Sequence, residues 1–390
     1  MNKRPFIILS AFLLLFSLIE KGQATETYRP ETSVAGFIQL PGSGRQVYNF
    51  NPGWRFFRGD VQGAEAVNFD DRSWNVVSTP HTVELMPAEG SGCRNYQGPA
   101  WYRKHFVLPA ETKGKRVVLH FEAAMGKQIL YLNGKRIQEH LGGYLPFTLD
   151  LTANGVQAGD SCLLAVFTDN SDDKSYPPGK RQYTLDFAYH GGIYRDVWMI
   201  AKSPVAITDA IDSQIVGGGG VFVHFDKISK KSAQVYVNTE VQNDDARSES
   251  VTVETTLTDA DGKVIKRSSG KLSLKPGEKK SIRQQMEVKN PTLWSPDTPY
   301  LYRVQSRIKK GNKSIDGGIT RVGIRLAEFR GKDGFWLNGK PFGQLVGANR
   351  HQDFAYVGNA LPNSQQWRDA KRLRDAGCTI IRVAHYPQDP

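Results

Sequence analysis

Two short stretches near the end of the sequence give the clearest indication of its architecture: Gly347-Ala348-Asn349-Arg350-His351-Gln352-Asp353 and Ile380-Ile381-Arg382-Val383-Ala384-His385-Tyr386-Pro387. Each is an apolar run that ends abruptly in Arg, His and other polar residues. Between them, Ser364 is placed to cap a helix that runs to about Ala376, and Gly377 stands where a left-handed helix cap is needed. Strand, helix and strand in this order predict a βαβ unit whose strands are parallel and buried on both faces.

The polar residues of the two stretches follow the predicted strands directly. In a (β/α)8 barrel, polar residues at the C-terminal ends of the strands line the active site. A single histidine near a strand end is commonly a structural residue with satisfied hydrogen bonds. Two Arg/His pairs at matching ends of consecutive strands favour a functional site, which would contain Asn349, Arg350 and His351 with Arg382, His385 and Tyr386.

Three segments carry a resemblance to a known family. Leu337-Asn338-Gly339-Lys340-Pro341-Phe342, residues 347–351 and residues 382–387 resemble the opening of the catalytic barrel of glycoside hydrolase family 2. That family includes β-galactosidases, β-glucuronidases and β-mannosidases. The sequence departs from the family pattern with Thr379, where Asn is usual, and with Val383, where a small residue is usual. Neither departure changes the Arg, His or Tyr of the second stretch.

The barrel that this resemblance implies would be incomplete. Two strands and one helix do not close a barrel, and an exposed parallel edge is unfavourable on its own. In the family, the acid/base Glu and the nucleophilic Glu lie on later strands, which implies that both lie beyond Pro390. We therefore expect this chain to be the N-terminal part of a longer enzyme.

The first 24 residues are predicted to be a cleaved secretion signal. Lys3 and Arg4 precede an apolar run over residues 6–19, and Gly22-Gln23-Ala24 provides a cleavage site. This run of 14 residues is too short to span a bilayer, so no membrane span is expected. The mature protein is expected to be periplasmic or secreted.

Cysteine and charge patterns exclude some classes of function. Cys93, Cys162 and Cys378 allow at most one internal disulfide. The two alternatives are a Cys93–Cys162 bridge and free buried thiols. The sequence contains neither CxxC nor HExxH, so it has no metal-binding motif of those types. The net charge of +12 comes from Lys and Arg in predicted turns, without interleaved aromatic residues, so no nucleic-acid partner is expected.

Residues 28–203 are predicted to form a jelly-roll β-sandwich. Alternating apolar runs predict strands, and Asn133-Gly134 predicts a tight hairpin. Three motifs in this region resemble the sugar-binding domain of the same family: Trp101-Tyr102-Arg103, Gly142-Gly143-Tyr144 and Gly191-Gly192-Ile193-Tyr194-Arg195-Asp196. The predicted strands cover residues 115–121, 128–132, 135–138, 147–151, 162–168 and 193–200.

The resemblance also implies two loop residues as sugar ligands. Asp186 lies six residues before Gly192, where β-galactosidases of the family carry an Asp that contacts galactosyl hydroxyls and a sodium ion. A carboxylate can accept hydroxyl hydrogen bonds or bind a hard cation such as Na⁺ or Mg²⁺. An Asp that caps a turn is the alternative. Asn95 matches less closely and would reach the same sugar.

Residues 204–326 are predicted to form an immunoglobulin-like β-sandwich. About seven short strands alternate with polar turns, two of which contain Asp261-Gly262 and Pro276-Gly277. Trp294-Ser295-Pro296 and Pro299-Tyr300-Leu301-Tyr302 resemble the equivalent domain of the family. We expect this domain to orient its neighbours, and residues 327–390 to begin the catalytic TIM barrel.

The resemblance implies that the intact protein is an exported, retaining exo-β-glycosidase, most similar to β-galactosidases. His351 and His385 would bind hydroxyls of the terminal sugar. No cofactor would be required, although the site could bind a Na⁺ or Mg²⁺ ion. Asp186 would repel the carboxylate of a glucuronide, which favours a neutral sugar. The alternative function is that of a non-catalytic carbohydrate-binding protein. Assembly into a homo-oligomer is left open. The residues that would brace the site are Arg350, Arg382, Asn349 and Tyr386.

Overall fold

The computed structural model describes residues 31–32, 38–87 and 95–389. The predicted secretion signal and Cys93 lie outside the described residues. Within the described ranges, no helix combines the length and the apolar character that crossing a membrane requires. Cys162 is a free, buried thiol, and burial raises its pKa to about 11.

Two antiparallel sheets form the N-terminal sandwich. Among the described residues, one sheet has the order β1-β2-β11-β6-β9 and the other β4-β3-β5-β10-β7-β8. The strands are β1 (Glu31–Thr32), β2 (Gln46–Asn49), β3 (Trp54–Arg58), β4 (Asn75–Val77), β5 (Pro99–Val107), β6 (Arg116–Phe121), β7 (Lys127–Leu132), β8 (Lys135–Leu141), β9 (Phe147–Asp150), β10 (Ser161–Asp169) and β11 (Val197–Lys202).

The core of this sandwich lies between the two sheets. Alternate residues of the strands point inwards, and aromatic rings fill the centre, with Trp54, Tyr102 and Phe121 in edge-on or tilted contact. The predicted hairpin joins β7 and β8, and Asn133 (φ 50°) and Gly134 (φ 80°) both adopt the left-handed conformation that a two-residue turn requires.

A second sandwich follows. Its sheets contain β12, β13, β14 and β17 in one layer and β16-β15-β18-β19 in the other, with the helix α1 (Ala210–Ser213) between β12 and β13. The predicted immunoglobulin-like class is confirmed. The strands are β12 (Val205–Ile207), β13 (Val221–Asp226), β14 (Ser232–Asn243), β15 (Glu249–Thr258), β16 (Val264–Leu274), β17 (Lys279–Lys289), β18 (Tyr302–Lys310) and β19 (Lys313–Val322).

The C-terminal region contains the predicted βαβ unit. A three-stranded meander, β20 (Ala327–Phe329), β21 (Phe335–Leu337) and β22 (Lys340–Pro341), precedes it. The unit itself consists of β23 (Gly347–Arg350), α2 (Asn363–Asp375) and β24 (Ile380–Val383). β23 and β24 are parallel, with Asn349 opposite Arg382. This region is the start of a TIM barrel, as predicted.

Three details of the predictions are wrong. Helix α2 begins at Asn363 with Pro362 as its N-cap and without a side-chain cap, so Ser364 is already inside the helix. β23 and β24 are largely exposed, because a parallel sheet is buried only where helices cover both faces and α2 buries none of its residues. The strand predicted over residues 193–200 begins only at Val197.

Gly377 ends α2 as predicted. Its φ of 90° lies in the left-handed region, its N–H bonds to the carbonyl of Arg374, and the N–H of Cys378 bonds to the carbonyl of Leu373. Glycine adopts this conformation without the steric cost of a Cβ atom.

Candidate functional site

The ends of β23 and β24 bring two histidines together. The register is fixed by the pairing of Arg350 with Val383, so both chains leave the sheet at the same edge. The rings of His351 and His385 then meet edge to face, with their centroids 5.4 Å apart. The peptide bond between Ala384 and His385 is cis.

A loop of the N-terminal sandwich adds a carboxylate to this pair. Asp186 Oδ2 lies 3.5 Å from His385 Nε2, and the Asp186 side chain is 67% exposed. Ligand atoms of Asp186, His351 and His385 all lie within 4.8 Å of one another. We call these three residues the His–Asp cluster; it contains hydrogen-bond acceptors and donors that converge on one point at the protein surface.

Phe187 supports the cluster from below. Its buried ring lies 5.7 Å from the ring of His351, 6.0 Å from that of His385 and 5.3 Å from that of Tyr386. An apolar base of this kind orients imidazole rings without competing for their nitrogen atoms. Phe187 was not predicted as a site residue, although its position directly after Asp186 was the available signal.

Tyr386 braces this part of the molecule rather than pointing to solvent. It is buried and stacks on Tyr144 of the sandwich, with ring centroids 4.6 Å apart. Burial raises the pKa of the Tyr386 hydroxyl. The two tyrosines belong to an apolar core that the sandwich and the barrel start share, together with Phe187, Tyr189, Tyr194 and Ala360.

The remaining predicted bracing residues make contacts within the barrel start. Arg350 donates to Asp369 Oδ2 of α2 at 2.9 Å and also bonds to Gln366 and Gln388. Arg382 is exposed and donates to Asn349 Oδ1 at 3.3 Å. Arg350 therefore pairs with a carboxylate on the helix of its own βαβ unit.

Asn95 lies against the loop that carries Asp186. Its Nδ2 donates to the carbonyl oxygen of Tyr189 at 2.8 Å, and its Oδ1 accepts a hydrogen bond from Gln182. Both ends of the amide thus bond to the protein. In this structure Asn95 orders the loop, and its predicted contact with sugar stays a prediction.

The Na⁺ or Mg²⁺ ion expected at Asp186 stays a prediction, and the side chains of the His–Asp cluster alone are a mixed set of ligands for it. Na⁺ and Mg²⁺ bind oxygen ligands, whereas this cluster offers one carboxylate and two imidazole nitrogens. Among the Asp, Glu, His and Cys side chains that the structure describes, Asp186 is the one oxygen ligand of the cluster.

Two acidic side chains are buried at the junction of the sandwich and the barrel start. Burial raises the pKa of Asp389 to about 6, although Arg195 lies close enough to lower it. Burial also raises the pKa of Glu122 to about 7, and Glu122 Oε1 accepts a hydrogen bond of 2.9 Å from Trp198 Nε1. These groups lie where the sandwich meets the barrel start, since Asp389 contacts Arg195 across that junction.

Models of one protein family match the chain in order along its length. They describe the glycosyl hydrolases family 2 sugar binding domain over residues 57–204, glycosyl hydrolases family 2 over residues 219–325 and the family 2 TIM barrel domain over residues 329–390. Together the three models match more than half of the chain.

Individual relatives agree with these matches. A β-galactosidase from Thermoanaerobacter pseudethanolicus is 34% identical over 346 residues, which cover 88% of this chain and 44% of that protein. A β-glucuronidase from Formosa agariphila is 32% identical over 367 residues, which cover 90% of this chain and 37% of that protein. The solved structure of Bacteroides uniformis β-glucuronidase matches with a TM-score of 0.79 and 32% identity, covering 88% of this chain and 40% of that one. The chain spans less than half the length of each of these relatives.

Proposed function

The chain belongs to glycoside hydrolase family 2, and we propose that it is part of an exported, retaining exo-β-glycosidase that hydrolyses terminal β-galactosides. Within that enzyme, the described residues form the subsite for the terminal sugar. The two carboxyl groups that retaining hydrolysis requires, a nucleophile and an acid/base, would come from later strands of the same barrel. The apolar run over residues 6–19 supports export.

The His–Asp cluster is the observation that carries this proposal. An imidazole can donate or accept a hydrogen bond and a carboxylate can accept several, so the cluster can hold neighbouring hydroxyls of one sugar ring. The exposure of Asp186 leaves its oxygen atoms accessible. Hydrogen bonds that strengthen as the ring distorts towards the transition state would increase the rate and not only the affinity.

The charge of Asp186 supports a neutral sugar. Two like charges about 4 Å apart repel by about 4 kcal/mol at the effective dielectric constant of a protein surface. A glucuronide, whose carboxylate would lie near Asp186, would therefore bind less well than a galactoside. A β-glucuronide is the second candidate substrate, because two of the relatives described above are β-glucuronidases.

Hydrolysis of chromogenic substrates tests the proposal. We would measure kcat/KM for 4-nitrophenyl β-galactoside, β-glucuronide and β-mannoside with the longer protein that contains this chain, and with the 390-residue chain alone. We expect the longer protein to prefer the galactoside by at least about tenfold, which needs only 1.4 kcal/mol, and the shorter chain to be inactive. Preference for the glucuronide would establish the second candidate, and activity on none of the three would refute the proposal.

A further inference from the structure

Arg195 is a buried cation that reaches from the sandwich into the barrel start. It is 1% exposed, and one terminal nitrogen donates to Gln352 Oε1 at 3.0 Å and to the carbonyl oxygen of Pro387 at 2.7 Å. The other terminal nitrogen donates to the carbonyl oxygen of Tyr144 at 3.2 Å. One side chain thus connects three separate segments.

The two barrel segments that Arg195 binds are those that carry the histidines. Gln352 directly follows His351, and Pro387 lies two residues after His385. The segments are also tied to each other, because Gln352 Oε1 accepts a second hydrogen bond, of 2.8 Å, from the N–H of Asp389. Gln352 is fully buried. The position of one histidine relative to the other therefore depends on this set of bonds.

Neighbours of Arg195 fix its position from the sandwich side. Tyr194 donates a hydrogen bond to the carbonyl oxygen of Gly143, and Asp196 accepts hydrogen bonds from Asn51 at 2.9 Å and from Asn363 of α2 at 3.2 Å. The segment that includes Arg195 is therefore attached to the sandwich and to the helix of the βαβ unit. This segment therefore has little freedom to move with the barrel segments that Arg195 binds.

An arginine at this position holds neighbouring groups in a fixed geometry and adds little to the stability of the fold. Burying a cation costs free energy that its partners must offset, and a buried ion pair is often no more stabilising than apolar residues of the same volume. Here Asp389 Oδ2 is 3.8 Å from Arg195 Nε, and the main partners are neutral oxygen atoms. The planar guanidinium group instead fixes the directions of several acceptors at once.

We propose that Arg195 is a positioning residue for the terminal-sugar subsite, which acts through Gln352 and Pro387 to hold His351 and His385 in register. This inference rests on the proposed function. Arg195 is the arginine of the Gly191–Asp196 motif, and its role in the subsite would be indirect, because it contacts neither His351 nor His385.

The first test compares Arg195→Lys with Arg103→Lys in the longer protein. Arg103 is the matched control, since it is equally buried in the same sandwich but pairs with Asp71 at 2.7 Å. A displacement of about 1 Å at a binding group can cost about 100-fold in rate. We expect Arg195→Lys to lower kcat for the best substrate by about 10- to 100-fold with a smaller change in KM, and Arg103→Lys to lower Tm alone. Equal effects of the two variants on kcat would overturn the inference.

A double-variant cycle separates positioning from a general loss of stability. If Arg195 acts through the histidines, Arg195→Lys should cost much less in a His385→Ala background than in the wild type. The effect of Arg103→Lys should be the same in both backgrounds. Full additivity of Arg195→Lys with His385→Ala would contradict the inference.

Hydrogen exchange provides a readout that does not need activity. Amides of residues 351–353, 385, 386, 388 and 389 should exchange faster in Arg195→Lys than in the wild type, and those of residues 66–71 should not. Should Arg195→Lys fail to fold, Gln352→Asn removes the same contact from the barrel side and is expected to give the same changes. Unchanged exchange in the folded variant would refute the positioning role, whether or not the wild type is active. A wild type that hydrolysed no glycoside would refute the proposed function instead.

Discussion

At the scale of the residue, Asp186 and the two histidines illustrate what sequence can predict. The structure brings His351, His385 and Asp186 together, although Asp186 lies far from the histidines in the chain, and their role as sugar ligands stays a prediction. The roles of Phe187 and Arg195 were not predicted, because they arise from packing between segments that only the folded chain brings into contact. Asn95 was expected at the sugar, but its amide bonds to Tyr189 and Gln182.

The first prediction concerns the charge of Asp186. Asp186→Asn in the longer protein keeps a hydrogen-bonding side chain but removes the repulsion of a glucuronide carboxylate. We expect kcat/KM for the β-galactoside to fall and the ratio of galactoside to glucuronide activity to fall by about tenfold or more. Asp173→Asn is the control, since Asp173 is an exposed residue of the same loop region that bonds to Ser175. An unchanged ratio would show that Asp186 does not set the sugar preference.

The second prediction concerns Glu122. Burial raises its pKa from 4.5 to about 7, so the folded state binds a proton more tightly than the unfolded state. The stabilisation is complete below about pH 4.5 and is lost as the pH rises through 7. Glu122→Gln keeps an acceptor for Trp198 Nε1 without the charge. We expect the variant to be more stable than the wild type at pH 8, by about 2–3 kcal/mol, and similar to it at pH 5.

Urea unfolding of both proteins from pH 5 to pH 8 would check this prediction. The wild type should lose stability across that range, whereas the variant should lose less. Parallel curves for the two proteins would show that Glu122 does not titrate in this window.

At the scale of the element, local signals predicted turns better than helix starts. Asn133-Gly134 predicted its hairpin and Gly377 its helix end, because a positive φ is a strong local requirement. Ser364 failed as a cap because Pro362 and Asn363 start the helix one residue earlier. The exposed faces of β23 and β24 could not be predicted from their own residues, since burial depends on what packs against them.

The third prediction concerns Gly192, in the segment that carries Arg195. A Cβ atom at Gly192 would lie 2.5 Å from both the carbonyl oxygen of His81 and the hydroxyl of Tyr102, and φ is +113°. Gly142 also has a positive φ, of +125°, but its Cβ would meet nothing within 4 Å. We expect Gly192→Ala to cost about 3 kcal/mol or more and Gly142→Ala about 1–2 kcal/mol. Thermal unfolding of the two variants checks this, and equal losses would mean that the close packing at Gly192 relaxes freely.

At the scale of the whole molecule, the three predicted fold classes follow one another as expected. Their order could be predicted because strand patterning, turn residues and the resemblance agree with one another. The contacts between regions could not, because they join residues that lie far apart in the sequence. Arg45 of the first region, for example, bonds through two nitrogens to Asp316 of β19, each at 2.8 Å.

The fourth prediction tests that contact. Asp316 is fully buried and also accepts a 2.8 Å hydrogen bond from the N–H of Ile207, so Asp316→Asn leaves the Arg45 cation without its counter-charge. Breaking a buried pair costs about 3 kcal/mol or more. We expect a clear fall in the free energy of unfolding, whereas Asp70→Asn, which breaks the exposed pair with Arg72, should change little. Denaturant unfolding checks both, and a similar small effect of the two variants would contradict the prediction.

The decisive measurement is the kinetics of His385→Ala in the longer protein. If His385 holds a hydroxyl of the terminal sugar in the transition state, the variant should fold normally and lose about 100-fold in kcat/KM for the preferred β-glycoside. His224→Ala is the control, since His224 stacks on Tyr236 in the second sandwich, and it should keep full activity. Unchanged kinetics of a folded His385→Ala protein would contradict the assignment of the His–Asp cluster as the sugar subsite.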